Sequence, residues 1–105
     1  MGVFRWFSVN REVDRFAKML AQDIAKRYPP ALDNVRGKKV SVDRLTRILE
    51  DAYAKAREFR EERGLGFYRK AKLGNSFRWE LADLGYTKEF VEMATEGLIV
   101  SLSRK

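Results

Sequence analysis

The two prolines of this 105-residue chain stand side by side, at Pro29 and Pro30. Proline has no amide hydrogen to donate within a helix, and it pushes the residue before it out of the α region. A helix that approaches this pair must therefore end near Tyr28. Because the remaining residues include no proline, long helices are possible on both sides.

Apolar residues recur at three- and four-residue steps in four segments, which predicts an amphipathic helix in each. The predicted helices cover residues 10–28, 41–63, 67–84 and 87–102. Three of the segments begin at a residue whose side chain can accept a hydrogen bond from the free amides of the first turn. These predicted N-caps are Asn10, Ser41 and Thr87.

Two stretches leave the local structure open. Gly74-Asn75-Ser76 lies inside the third segment and favours a turn or a fresh cap, so residues 67–84 are one helix or two shorter ones. Gly97 interrupts the fourth segment, and residues 98–102 after it fit either a helix or a short strand. We expect a helix there.

Four amphipathic segments with short connections predict an all-α fold, a compact bundle of about four helices. The chain length suits one domain over residues 1–105, with residues 1–9 as an aromatic N-terminal tail. Apolar residues make up 45% and charged residues 35% of the chain, which is typical of a globular protein rather than a disordered one.

The residue inventory argues against an enzyme. The chain has no cysteine and no histidine, which excludes thiolate nucleophiles, zinc-thiolate sites and the usual general base near neutral pH. The adjacent carboxylates Glu61-Glu62 and Glu50-Asp51 lie among basic residues on polar helix faces. We therefore expect no catalytic residue, no cofactor and no metal.

No segment predicts export or membrane insertion. The first ten residues are interrupted by Arg5 and lack the apolar core of a signal peptide, and the longest aliphatic run, residues 98–100, is too short to span a bilayer. We expect a cytoplasmic protein without firm membrane association.

Residues 80–91 have the helix, turn glycine and helix of a DNA-binding helix-turn-helix. The second helix, however, carries Glu89, Glu92 and Glu96 against Lys88 alone. Phosphates would repel such a helix, so an ordinary helical hairpin is the better interpretation.

Nucleic-acid binding is better supported by two basic clusters in a chain of net charge +7. Cations can neutralise phosphates while an interleaved aromatic ring stacks on an unpaired base. The candidate residues are Arg36, Lys38 and Lys39 in the first connection, and Tyr68, Arg69, Lys70, Lys72 and Arg78 in the third segment. The alternative is that Phe67 and Tyr68 pack into the core while the cations keep the surface soluble.

The N-terminal aromatic residues are the other unusual feature. Phe4, Trp6 and Phe7 could fold back and plug one end of the bundle, dock a protein partner or a second copy, or touch a membrane surface. With the catalytic inventory missing and aromatic residues plentiful, the leading hypothesis is a non-enzymatic module that binds a protein partner or itself. The alternative is binding of RNA or single-stranded DNA through the two basic clusters.

Overall fold

The computed structural model describes residues 2–34 and 41–104, with side chains from Trp6 onward in the first helix. It is 88% helical, with five helices packed into one compact globule and no strand in the described ranges. The helices are α1 (Gly2–Arg27), α2 (Pro30–Asp33), α3 (Val42–Arg63), α4 (Phe67–Leu84) and α5 (Lys88–Ser103). The prediction of an all-α bundle is confirmed.

The four long helices form a ring in which α1 packs on α3 and α4, and α5 packs on the same two helices from the opposite side. The α1 and α3 helices are antiparallel, because Glu12 pairs with Arg63 at 3.2 Å and Asp23 pairs with Lys55 at 3.2 Å. The α3 and α4 helices lie across the ring from each other, and residues 64–66 connect them.

The α1 and α4 helices run parallel. Arg69 Nε donates to Asn10 Oδ1 at 3.1 Å, and further along both helices Ser76 Oγ donates to Asp14 Oδ1 at 2.6 Å. Parallel packing brings the N-terminal ends of α1 and α4 to the same end of the bundle, which determines where the exposed aromatic residues lie.

The predicted apolar stripes form the core. Phe77 of α4 is the largest fully buried side chain, and it is surrounded by the inward faces of the other long helices. Other side chains with almost no exposure are Val13, Leu20, Ile24, Ile48, Leu73, Leu81, Leu98 and Leu102. Burial of each such side chain stabilises the fold by roughly 1.5–3 kcal/mol, before the cost of ordering the chain.

Two predicted caps are confirmed. Ser41 Oγ accepts from the amide of Arg44 at 3.1 Å, and Thr87 Oγ1 accepts from the amide of Phe90 at 3.2 Å. Each hydroxyl satisfies one of the amides that the first turn of a helix leaves free.

The predicted start of the first helix is wrong. The α1 helix begins at Gly2, so residues 2–9 are helical rather than a separate tail, and Asn10 is not an N-cap. Asn10 is buried within α1 and binds Arg69. The core-facing stripe continues backwards from Val13 through Val9 to Trp6 at helical spacing, and no proline interrupts it.

The two stretches whose structure the sequence left undecided are both helical. Residues 67–84 form the single helix α4, and residues 98–102 belong to α5 rather than to a strand. Gly74 lies within α4 because the neighbouring helix is so close there. A Cβ at this position would be 2.9 Å from Cγ1 of Ile99 in α5.

The C-terminal end of α5 is held by a buried arginine. Arg60 Nη1 donates to the carbonyls of Leu102 at 2.8 Å and Arg104 at 2.6 Å. The last carbonyls of a helix have no partner within it, and a cation there also complements the helix dipole.

The N-terminal end of α5 is held by a carboxylate. Asp33 Oδ2 accepts from the amide of Thr87 at 2.7 Å, and Oδ1 accepts from the hydroxyl of Tyr28 at 2.9 Å. Burial, together with the bond to Asp33 and its negative charge, raises the pKa of Tyr28 to about 12. One side chain of the short α2 helix thus ties the end of α1 to the start of α5.

We predict that Arg60→Met lowers the free energy of unfolding by about 2 kcal/mol, because buried carbonyls at the end of α5 lose a charged donor. Urea unfolding followed by circular dichroism measures the change. Arg63→Met is the matched control, since Arg63 lies on the same helix and makes only a half-exposed pair with Glu12. Arg63→Met should lower the free energy of unfolding by no more than about 0.5 kcal/mol. An equal loss in both variants would contradict the role given to Arg60.

Gly97 of α5 lies in close contact with α3. The hydroxyl of Tyr53 donates to the carbonyl of Ala94 at 2.8 Å, and its ring lies directly against Gly97. A Cβ on residue 97 would be 2.7 Å from Tyr53 Cζ and closer still to the hydroxyl oxygen.

We predict that Gly97→Ala destabilises the fold by about 1–3 kcal/mol through overpacking, although alanine favours a helix by about 1 kcal/mol over glycine. Thermal and urea unfolding measure the loss. The same substitution in a Tyr53→Phe background should cost less, because the nearest clashing atom is gone. A cost that is the same in both backgrounds would contradict this origin.

Candidate functional site

Four exposed aromatic side chains lie at one end of the bundle. Trp6 is 44% exposed, Phe7 54%, Phe67 89% and Tyr68 59%. The bond between Asn10 and Arg69 places the start of α1 beside the start of α4, so both pairs belong to the same end. We call Trp6, Phe7, Phe67 and Tyr68 the aromatic end.

Trp6 is exposed because α1 extends past its neighbours. The ring falls on the helix face that carries Val13 and Leu20 into the core, but Glu12 is already level with Arg63, the last residue of α3. Residues 2–8 therefore lie beyond the end of that helix, and the apolar face there has no covering element among the described residues.

The expectation that the N-terminal aromatic residues plug the bundle is wrong for Trp6 and Phe7. Their rings contact each other edge to face, with centroids 5.0 Å apart, and remain exposed. The side chain of Phe4 lies outside the described residues. The alternative that Phe67 and Tyr68 are core residues is also wrong, because α4 begins at Phe67 and its first turn projects past Ser103, where α5 ends.

The basic cluster predicted in the third segment is largely engaged by polar partners. Arg69 binds Asn10, Lys72 pairs with Asp14 at 3.4 Å, and Arg78 pairs with Glu92 at 3.0 Å. These bonds join α4 to α1 and to α5, so the three cations have structural partners that sequence order does not reveal.

Lys70 differs from its neighbours because no carboxylate of the described residues lies within ion-pair distance. The first predicted cluster, with Arg36, Lys38 and Lys39, lies outside the described residues.

A cationic face that the sequence interpretation missed runs along α1. Arg11, Arg15, Lys18 and Lys26 are all exposed and, within the described ranges, none of them makes an ion pair. Their steps of four, three and eight residues place them on one side of the helix, opposite the core, over roughly 22 Å. We call these four residues the α1 stripe. A helical projection of the first segment would have shown it.

A groove between α4 and α5 has a volume of about 510 Å³. Its apolar wall includes Phe67, Ile99 and Leu102, and its charged lining residues are Lys70 and Arg78. None of its lining residues, all of which belong to the described chain, is acidic. The groove is therefore apolar along its wall and carries only positive charge.

Thr95 is the unusual residue of this groove. It is 1% exposed, and its Oγ1 is the buried side-chain atom of the described residues that has no hydrogen-bond partner. Buried hydroxyls are normally paired, because leaving one unpaired costs about 1–3 kcal/mol.

The hollow between α1 and α3 has a different character. Four of its five charged lining residues are paired with each other, Arg27 with Asp51 at 2.7 Å and Lys55 with Asp23 at 3.2 Å. The fifth, Lys26, belongs to the α1 stripe, so the hollow carries one unpaired cation and no unpaired carboxylate. Across residues 2–34 and 41–104, no group of three or more acidic side chains could hold a metal ion, and none of the helices there is long and apolar enough to cross a bilayer.

Comparisons of the chain with protein-family models, with curated proteins and with solved structures give no match.

Proposed function

We propose that this chain is a non-enzymatic, cytoplasmic protein-interaction module that docks a partner through its aromatic end. The observation that carries the proposal is the exposure of Trp6, Phe7, Phe67 and Tyr68 at the same end of the bundle. Large aromatic side chains supply much of the binding free energy at protein interfaces, and contiguous apolar patches on a monomer mark such sites.

The proposed interface has the composition of an interface centre with a polar rim. Trp6 and Phe67 continue the inward faces of two helices, so a partner that covers them would extend an existing core. Burying each ring would contribute roughly 1.5–3 kcal/mol in apolar area alone, before the cost of association.

The surrounding charge favours a different protein over a second copy. Arg11 and Lys70 stand near the aromatic end without an acidic partner among the described residues, and the chain as a whole carries +7. Two copies meeting at this end would bring like charges together, whereas a partner with an acidic rim would be attracted. We therefore propose an acidic partner with an apolar centre.

We predict that the double variant Trp6→Ser/Phe67→Ser loses the partners that the intact protein retains from cell extract, by at least tenfold, as measured by quantitative mass spectrometry. Met93→Ser on the distant face of α5 is the matched control, since Met93 is similarly exposed. Light scattering of the purified protein tests the second-copy alternative. Equal recovery by both variants would overturn the proposal, as would a dimer that Trp6→Ser/Phe67→Ser abolishes.

The α1 stripe favours a second candidate, which is binding of RNA or single-stranded DNA. Arg11, Arg15 and Lys18 are spaced on one face and are not neutralised by a described carboxylate, so their charge is available to phosphates. The stripe leads towards Phe7, which could stack on an unpaired base. This site differs from the one predicted around residues 63–78.

We predict that Arg11→Gln/Arg15→Gln/Lys18→Gln weakens binding to labelled single-stranded RNA uniformly across sequences. Three lost phosphate contacts should also reduce the slope of log affinity against log salt by about 2. The comparison variant Arg69→Gln/Lys70→Gln/Lys72→Gln should change both quantities less, because two of its cations already have partners. Fluorescence anisotropy at low and near-physiological salt measures both, and an unchanged slope in the α1 variant would eliminate this site.

A further inference from the structure

We propose that the groove between α4 and α5 binds a small dicarboxylate with an apolar middle, of the size of a ten-carbon diacid. The proposal rests on four features of the groove: its volume, its apolar wall, its two cations and the unpaired hydroxyl of Thr95. The groove shares Phe67 with the aromatic end but shares no residue with the α1 stripe.

The size of the groove suits a small molecule. A volume of about 510 Å³ lies within the range of roughly 300–1,000 Å³ that is typical of ligand sites. Ile99 and Leu102 supply an apolar wall between its charged residues. A ligand that fills it should therefore have an apolar body rather than be polar along its whole length.

The charges select an anion. Lys70 and Arg78 both line the groove, and none of its lining residues is acidic. Lys70 has no ion pair with a described carboxylate, and Arg78 uses only Nη1 on Glu92, so further donors of its guanidinium are available to a ligand. A cationic ligand would be repelled at both positions.

The spacing of the two cations selects a second carboxylate. Residues 70 and 78 are eight positions apart on one helix, which separates them by about 12 Å along its axis. An extended ten-carbon diacid has a comparable separation between its carboxylates. One carboxylate would then meet Lys70 while the other meets Arg78.

Thr95 gives the groove a polar group that the protein itself leaves unused. Thr95 lines the groove from α5 and Arg78 lines it from α4, and Oγ1 of Thr95 has no partner among the described residues. A carboxylate bound at Arg78 could accept from this hydroxyl, once the side chains at the floor of the groove admit it. The unpaired atom would then be a ligand contact rather than an unexplained cost to the fold.

The test uses isothermal titration calorimetry of the purified full chain with three probes of equal carbon number: sebacate, decanoate and 1,10-decanediol. We expect sebacate to bind at least tenfold more tightly than decanoate, and the diol to bind more weakly than both. Lys70→Gln should bring the affinity for sebacate down to that for decanoate. Equal affinity for the two acids, or no binding of sebacate, would overturn the proposal.

Two further variants separate the groove from the rest of the surface. Ala71 is exposed and lines the groove, so Ala71→Trp should block it without disturbing the core, whereas Ala82→Trp on the same helix should not. Lys18→Gln is the charge-matched control for Lys70→Gln. Binding of sebacate that survives Ala71→Trp, or that falls equally with the control variants, would place the site elsewhere.

Thr95→Val distinguishes a binding role from a structural one. Removing an unpaired buried hydroxyl while keeping the shape of the side chain should raise the Tm of the free protein. The same change should weaken sebacate binding by about fivefold, because the ligand loses a donor. A raised Tm with unchanged affinity would show that Thr95 is not a ligand contact and would overturn that part of the proposal.

Discussion

The α5 helix depends on two charged side chains that come from other parts of the chain. The amide of its N-cap residue, Thr87, donates to Asp33, and the carbonyls of Leu102 and Arg104 accept from Arg60. Each charge has the sign that the helix dipole favours at that end. Because α5 packs against both α3 and α4, and Ser101 and Leu102 are buried near its C-terminal end, the carbonyl of Leu102 would be left unsatisfied without Arg60.

The fixed position of α5 determines which surfaces stay open. The α5 helix ends at Ser103 beside the first turn of α4, and Phe67 remains exposed. The close approach at Gly74 brings α4 and α5 together, and the groove lies along this contact. The same constraint thus produces both the groove and half of the aromatic end, and the overhang of α1 produces the other half.

Local features of the sequence predicted local structure well. The N-caps at Ser41 and Thr87 and the stripes of three of the long helices follow from residue spacing and from side chains that act within one turn, so they were predictable. Asn10 led to a wrong prediction of the start of the first helix, because its side chain can accept a hydrogen bond as an N-cap does. Its real partner, Arg69, lies on a helix far along the chain, and only the parallel packing of α1 and α4 brings the two together.

The ion pairs, like the partner of Asn10, depend on how the helices pack and could not be predicted from local sequence. The residues around position 70 predicted a basic patch, but whether a cation is free depends on which helices adjoin. Lys72 and Arg78 meet carboxylates of α1 and α5, respectively, whereas Arg11 and Arg15 face away from every neighbour. Ion pairs of this exposed kind add little stability, so their main effect is to remove two cations from the binding surface. Several described cations, Arg44, Arg47 and Lys88 among them, make no ion pair. The α1 stripe differs from these because it aligns four such cations along one helix, and Lys70 differs because it lines the groove.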